Sequence, residues 1–310
     1  MQSRLLAADF LRILAHRALM LRPVTGLIGL GLLAGAIGWT SVAPSHERDW
    51  RPEQRLLPRA TITRNHVTIR NVRDFRWGPG GEMRRAWTER TYDLDALASV
   101  WYVLTPFSRD RRGPAHAFVS FGFDDGRFLA ISVEARRESG EAYSIRRGML
   151  KRYEIMYVIG DERDLIQQRV ARDDDVYVYP VRASPEQIRS LFIDMLLRAN
   201  DLRQHPEFYG TLRNNCTTNL LAHVNTIARA PIRYGPRVLL PGYSDEVAHE
   251  RGLIDTDLPL DAARERFLVN AHALGADARD DYSFVIRRLP AGSPVLWRSL
   301  RASSAPASMP

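Results

Sequence analysis

Residues 24–43 form a run of twenty without a charged side chain. A helix rises about 1.5 Å per residue, so a run of this length spans about 30 Å, the thickness of a bilayer's hydrocarbon core. The feature divides the chain into a tail over 1–23, a transmembrane anchor over 24–43 and a large domain beyond it. A cleaved signal peptide is the rival reading. Its apolar region is normally about 7–15 residues, however, and here Ser41-Val42-Ala43 runs directly into Pro44, a poor cleavage site.

The run contains Gly29-x-Gly31-x-x-Ala34, which superficially matches a dinucleotide fingerprint. That motif needs a strand before it and a helix after it, so it is discounted. Gly31-x-x-x-Gly35 fits better as a small-residue packing face, through which the membrane helix can form a homodimer. Arg12, Arg17 and Arg22 precede the span and Arg48, Arg51 and Arg55 follow it, so local charge does not orient it. Leucines interspersed with arginines make the tail an interfacial, cytoplasmic segment, which places residues 44–310 outside.

Basic residues number 44 against 36 acidic ones, a formal charge of +8, and Lys151 is the single lysine. The arginines are interleaved with acids, as in Arg109-Asp110-Arg111-Arg112, and form no stripe with aromatics. This is a solvated surface rather than a nucleic-acid interface. One cysteine excludes an intrachain disulfide and a cysteine-based zinc site, and neither metal nor cofactor is expected.

The outer domain, over 48–300, alternates strand and helix signals. Thr61-Ile62-Thr63 and Val67-Thr68-Ile69 flank Arg64-Asn65-His66 as a strand pair would, making His66 a turn residue. Asp93, followed by Leu94, Leu97, Ala98 and Trp101, predicts a capped helix over about 94–104. Residues 117–123 and 128–133, joined by Asp124-Asp125-Gly126, predict a hairpin. Further strands are expected at 153–159 and 176–181, with a short helix or loop between them. Ser184-Pro185-Glu186-Gln187 marks a helix start, and a second helix opens at Asn214-Asn215-Cys216. The fold class is therefore α+β, an antiparallel sheet with packed helices, and the tail over 301–310 is expected to be disordered.

A thiol in the first turn of a helix meets unpaired backbone N–H groups and the positive end of the helix dipole, both of which favour thiolate. Cys216 is thus a candidate nucleophile, set against its plain reading as a small buried hydrophobe. A nucleophile needs an imidazole within reach. His223 is seven residues on, roughly 10 Å along the axis, and cannot reach the thiol. His116 begins the central strand, where a rigid sheet can hold it against the cysteine helix. A turn centred on Asp125 places Glu134 opposite His116, as an orienting carboxylate; a one-residue slip places Ala135 there instead. The Cys216 and Thr217 amides, with the Asn215 side chain, can stabilise an oxyanion, although Asn215 also reads as a plain helix cap. No GxSxG elbow, HExxH or phosphate loop competes.

Trp50-Arg-Pro-Glu53, Asn71-Val-Arg-Asp-Phe75, Pro114-Ala-His-Ala-Phe118, Ser132-Val-Glu-Ala-Arg136, Asn214-Asn-Cys-Thr-Thr218 and Leu239-Leu-Pro-Gly-Tyr243 stand in order along the chain. On these motifs, over roughly 48–290, the sequence resembles the Lnb N-terminal periplasmic domain family. The resemblance implies a bacterial cell-envelope protein; together with the one span read from the residues, a departure from the family's membrane-embedded member, it gives a single-pass protein of the inner membrane with its main domain in the periplasm. His116, Cys216 and Glu134 fall on the family's conserved histidine, cysteine and glutamate. The order of histidine, strand and cysteine-bearing helix also looks like circularly permuted papain-like enzymes that move acyl groups through a thioester. The implied partners are a membrane lipid as acyl donor and a lipoprotein amino terminus or other envelope acceptor. A cell-wall cysteine peptidase or amidase and a non-catalytic envelope binding module stand as alternatives.

Overall fold

The computed structural model describes residues 42–78, 83–108, 113–276 and 281–289. The tail over 1–23, all of the apolar run but Val42 and Ala43, and the tail over 301–310 lie outside the described residues. Among those described, no helix is long and apolar enough to cross a membrane. The chain divides into two units, Met1–Ser45 and His46–Pro310, and every element below belongs to the second.

The strands are β1 (Arg59–Thr63), β2 (His66–Arg73), β3 (Arg76–Trp77), β4 (Met83–Arg84), β5 (Trp87–Asp93), β6 (Leu97–Pro106), β7 (Ala115–Phe123), β8 (Phe128–Arg136), β9 (Glu154–Gly160) and β10 (Tyr177–Pro180). The helices are α1 (Ile145–Gly148), α2 (Glu162–Val170), α3 (Pro185–Gln204), α4 (Cys216–Ile227), α5 (Pro236–Leu239), α6 (Ser244–Glu250), α7 (Leu260–Phe267), α8 (Asn270–Ala276) and α9 (Tyr282–Arg287). Among the described residues one large sheet runs β1-β2-β9-β8-β7-β6-β10, with β5 also paired to β2, and β3 and β4 form a separate pair. All pairings in the large sheet are antiparallel except the contact of β2 with β9 at Arg73 and Gly160. A Cβ at Gly160 would lie 2.5 Å from Leu165 Cδ1 and 3.1 Å from the Arg73 carbonyl, so this join needs glycine.

Successive residues of a strand point to opposite faces, and here both faces are covered. Val119, Phe121, Ile131 and Tyr157 share one core with Ile188, Leu191 and Phe192 of α3 and with Cys216 and Leu220 of α4. Phe118, Ala130, Met156 and Val158 share the other with Leu165 and Ile166 of α2, Ala273 of α8 and Ile286 of α9. Every residue of β7 is consequently buried. Phe192 packs edge-on against Phe121 at 4.8 Å between ring centroids, seating α3 on the sheet. Ser184 and Gln187 complete the predicted capping box at the start of α3.

Two local readings are corrected. The expected helix over about 94–104 is the strand β6, buried along most of its length between β7 and β10. Asp93 does bond to a backbone amide, that of Asp95, but this closes a turn rather than opening a helix. Leu97, Trp101 and Leu104 fit helical spacing, yet with Val100 and Val103 between them they form the near-continuous apolar run of a strand covered on both faces. The turn between β1 and β2 is Arg64-Asn65, and His66 is the first residue of β2, opposite Thr63.

Candidate active site

Cys216 is the first residue of α4, and the cap before it is built entirely from side chains. Asn215 Oδ1 accepts from the Thr218 amide at 2.9 Å, and the Thr218 hydroxyl accepts from the Asn215 amide at 2.9 Å. Asn215 Nδ2 donates to the Thr211 carbonyl at 2.6 Å. Both ends of the Asn215 side chain are thus engaged in holding the helix start, and its amide nitrogen keeps a second hydrogen beyond the bond to Thr211. The first-turn amides of Cys216 and Thr217 are the donors that helix geometry leaves over. The Thr217 hydroxyl lies 3.8 Å from the Cys216 sulfur.

α4 packs on β7 and β8, which carry the rest of the site. The hairpin register pairs Phe118 with Ser132 and Gly122 with Phe128, and the Phe123 amide donates to the Arg127 carbonyl. The turn is therefore centred on Asp125, and the same register continued down the strands sets Glu134 against His116. The two meet: His116 Nε2 is 3.1 Å from Glu134 Oε1. Ser132 stands between them, 2.7 Å from His116 Nε2, and donates its hydroxyl hydrogen to Glu134 Oε1 at 2.8 Å.

That single hydrogen fixes the imidazole. With its proton committed to Glu134, the Ser132 oxygen must accept, so His116 carries hydrogen on Nε2 and leaves the Nδ1 lone pair for the thiol. Glu134 is further held by Arg169 of α2, whose Nη2 donates to Oε1 at 3.0 Å. Carboxylate, serine and histidine form one chain leading to Cys216.

The electrostatics follow. Burial alone would push the Cys216 thiol up, but the charge and hydrogen bond of His116 outweigh it and hold the thiol below its ordinary 9.0. Burial and the Arg169 charge press His116 down, while Glu134 and the cysteine raise it above 6.5 on balance. Glu134 is half-buried; desolvation would raise its carboxyl, but His116, Arg169 and Ser132 hold it well below 4.5. Imidazolium and thiolate are each stabilised by the other, as a nucleophile and its base require.

These residues open into a cleft of about 380 Å³ lined by His116, Glu134 and Cys216 together with Tyr143, Arg169 and Tyr209. Tyr209 is buried, and its hydroxyl lies 3.3 Å from that of Tyr143. Burial, then the Cys216 charge, pushes the Tyr209 phenol up, so it stays a neutral O–H group in the cleft that Cys216 also lines. Arg137 and the exposed Arg172 also line the cleft, and burial followed by the Arg51 charge lowers the Arg137 guanidinium.

Sequence reasoning singled out His116, Glu134 and Cys216, and the fold brings them together. Ser132 and Arg169 were missed. For Ser132 a signal existed, since it stands two residues before Glu134 and so shares its strand face. Arg169 arrives from a helix 35 residues away from Glu134 in the chain, where nothing local marks it. His223 stays apart from the thiol: Nε2 lies 2.5 Å from the Tyr157 hydroxyl and Nδ1 2.7 Å from Asp194, which ties α4 to β9 and α3.

Residues 84–239 match the family model described as the Lnb N-terminal periplasmic domain. The chain belongs to this family. The matched span contains His116, Ser132, Glu134, Arg169, Tyr209 and Cys216, so the whole cleft constellation lies within the Lnb N-terminal periplasmic domain. The motifs at Trp50–Glu53 and Asn71–Phe75 fall outside it. No curated protein and no solved structure matches the chain.

Proposed function

We propose that the chain is a cysteine-dependent acyl-transfer enzyme of the bacterial envelope, anchored to the inner membrane by residues 24–43 with its main domain in the periplasm. The observation that carries this reading is the Glu134–Ser132–His116 chain ending at a thiol held below its ordinary value on a helix N-terminus.

The chemistry is two displacements at one carbonyl. The Cys216 thiolate attacks the acyl carbon of a lipid ester, and the resulting oxyanion is met by the first-turn amides of α4 and the Tyr209 hydroxyl. Collapse breaks the ester C–O bond, and the departing alkoxide takes the proton held by His116, leaving a thioester on Cys216. An amine acceptor, such as a lipoprotein amino terminus, then attacks the thioester while His116 removes its proton. The C–S bond breaks, the amide forms, and the thiolate returns. Glu134, acting through Ser132 and directly, keeps the imidazole in its working tautomer and stabilises its charged form. The arginine-lined cleft suits an anionic donor headgroup such as that of a phospholipid. The order of histidine strand before cysteine helix supports a permuted papain-like arrangement.

Alkylation of Cys216 by iodoacetamide across pH tests the ion pair. The wild type reaches half its plateau rate below pH 9.0, and His116→Ala moves that midpoint upward. A thiol that titrates ordinarily and ignores His116→Ala would remove the catalytic reading and leave an envelope binding module.

A further inference from the structure

Beside the polar cleft lies a second cavity of different character, about 150 Å³ in volume and walled chiefly by aliphatic side chains. On α4 its lining includes Thr217, Leu220, Leu221 and Val224 and reaches the cap residue Ala228. That spacing of three, four and seven describes one helix face, running about 16 Å from the nucleophile's neighbour to the helix end. Leu191 of α3 and Ile254 also line it.

The end nearest the chemistry is marked by two residues. Thr217 follows Cys216, with its hydroxyl 3.8 Å from the sulfur. Tyr102 donates to or accepts from Ser244 at 2.6 Å and lies near enough to Cys216 for the thiol's charge to bear on its phenol. Cys216 lines the polar cleft and its chain neighbour Thr217 lines the apolar cavity, so the first turn of α4 stands between the two. A cavity of this volume accommodates about six carbon atoms, and an apolar lining gives water no partners.

We infer that the channel along α4 seats the proximal methylenes of a linear aliphatic acyl chain while its carbonyl carbon is bonded to Cys216, so that the enzyme selects acyl groups by chain length. The inference rests on the thioester reading above. It assigns the two cavities opposite tasks, with the polar leaving group departing through the arginine-lined cleft and the hydrocarbon retained along the helix. Each methylene transferred into such a channel is worth roughly a fourfold gain.

The test compares acylation of the detergent-solubilised full-length protein by p-nitrophenyl acetate and p-nitrophenyl octanoate, and measures binding of N-methyl octanamide to the Cys216→Ser variant. The octanoate-to-acetate rate ratio is expected to exceed roughly tenfold, from partial burial of the chain. Val224→Trp, which fills the channel, and the milder Ala183→Leu are expected to bring the ratio toward one, with thermal unfolding confirming that both fold. The amide is expected to bind Cys216→Ser and to lose that binding when Val224→Trp is added. Acetylation of Cys216 with a ratio near one and no amide binding would overturn the channel while leaving the thioester reading intact. Amide binding without acylation by either ester would overturn the thioester reading, and the inference about Cys216-bound chains with it.

Discussion

At the scale of single residues, Glu134 carries the most specific consequence. Its carboxyl is held well below 4.5 in the folded protein and returns toward the ordinary value on unfolding. The unfolded chain then binds more protons as the pH falls below 4.5, so the stabilisation is complete above that pH and is lost as the pH drops through the folded value. The urea midpoint of the wild type should therefore fall more steeply on acidification below pH 4.5 than that of Glu134→Gln; parallel curves would show that the carboxylate is not held in this way. His116, Glu134 and Cys216 were legible because each has a chemical reason to sit where it does: a strand start, a cross-strand position, a helix start. Ser132 was marked only by sharing a strand face with Glu134, and a lone hydroxyl in Leu129–Val133 reads equally as one small residue in a buried strand. Its meaning appears only when the pairing of β7 with β8 puts an imidazole beside it.

Elements set the precision of those contacts. α4 starts where it does because of the Asn215–Thr218 capping box, and the cap also decides where the first-turn amides point. Asn215→Ala should cost about 1–2 kcal/mol in urea unfolding. It should also slow Cys216 alkylation at neutral pH, since a frayed first turn no longer aims its amides at the sulfur. Unchanged stability and alkylation would show that the cap is incidental. The helix starts at Ser184 and Asn215 were readable from their caps, which are local chemistry. β6 was not, because an inner strand covered on both faces loses the alternation that distinguishes strand from helix, and only its place between β7 and β10 decides the matter.

At the scale of the whole molecule, the order of strands in the sheet is what brings the site together. β7 and β8 are adjacent through a tight turn, which the sequence announces with Asp124-Asp125-Gly126. The return of the chain through α2, which delivers Arg169, and the parallel join of β2 to β9 at Gly160 depend on contacts between distant segments that no local pattern encodes. Below α2, Arg287 of α9 pairs with Glu162 at 2.7 Å, both nearly inaccessible, so the layer that supports Arg169 is itself fixed by a buried ion pair. The proposed chemistry passes through one covalent event, the formation of a thioester on Cys216. Intact mass spectrometry of the full-length protein after brief exposure to an activated acyl ester should show a single added acyl group, removed by hydroxylamine, mapped to Cys216 and missing in Cys216→Ser. An unmodified wild type, or an adduct that persists in Cys216→Ser, would contradict the claim that this cysteine carries the acyl group.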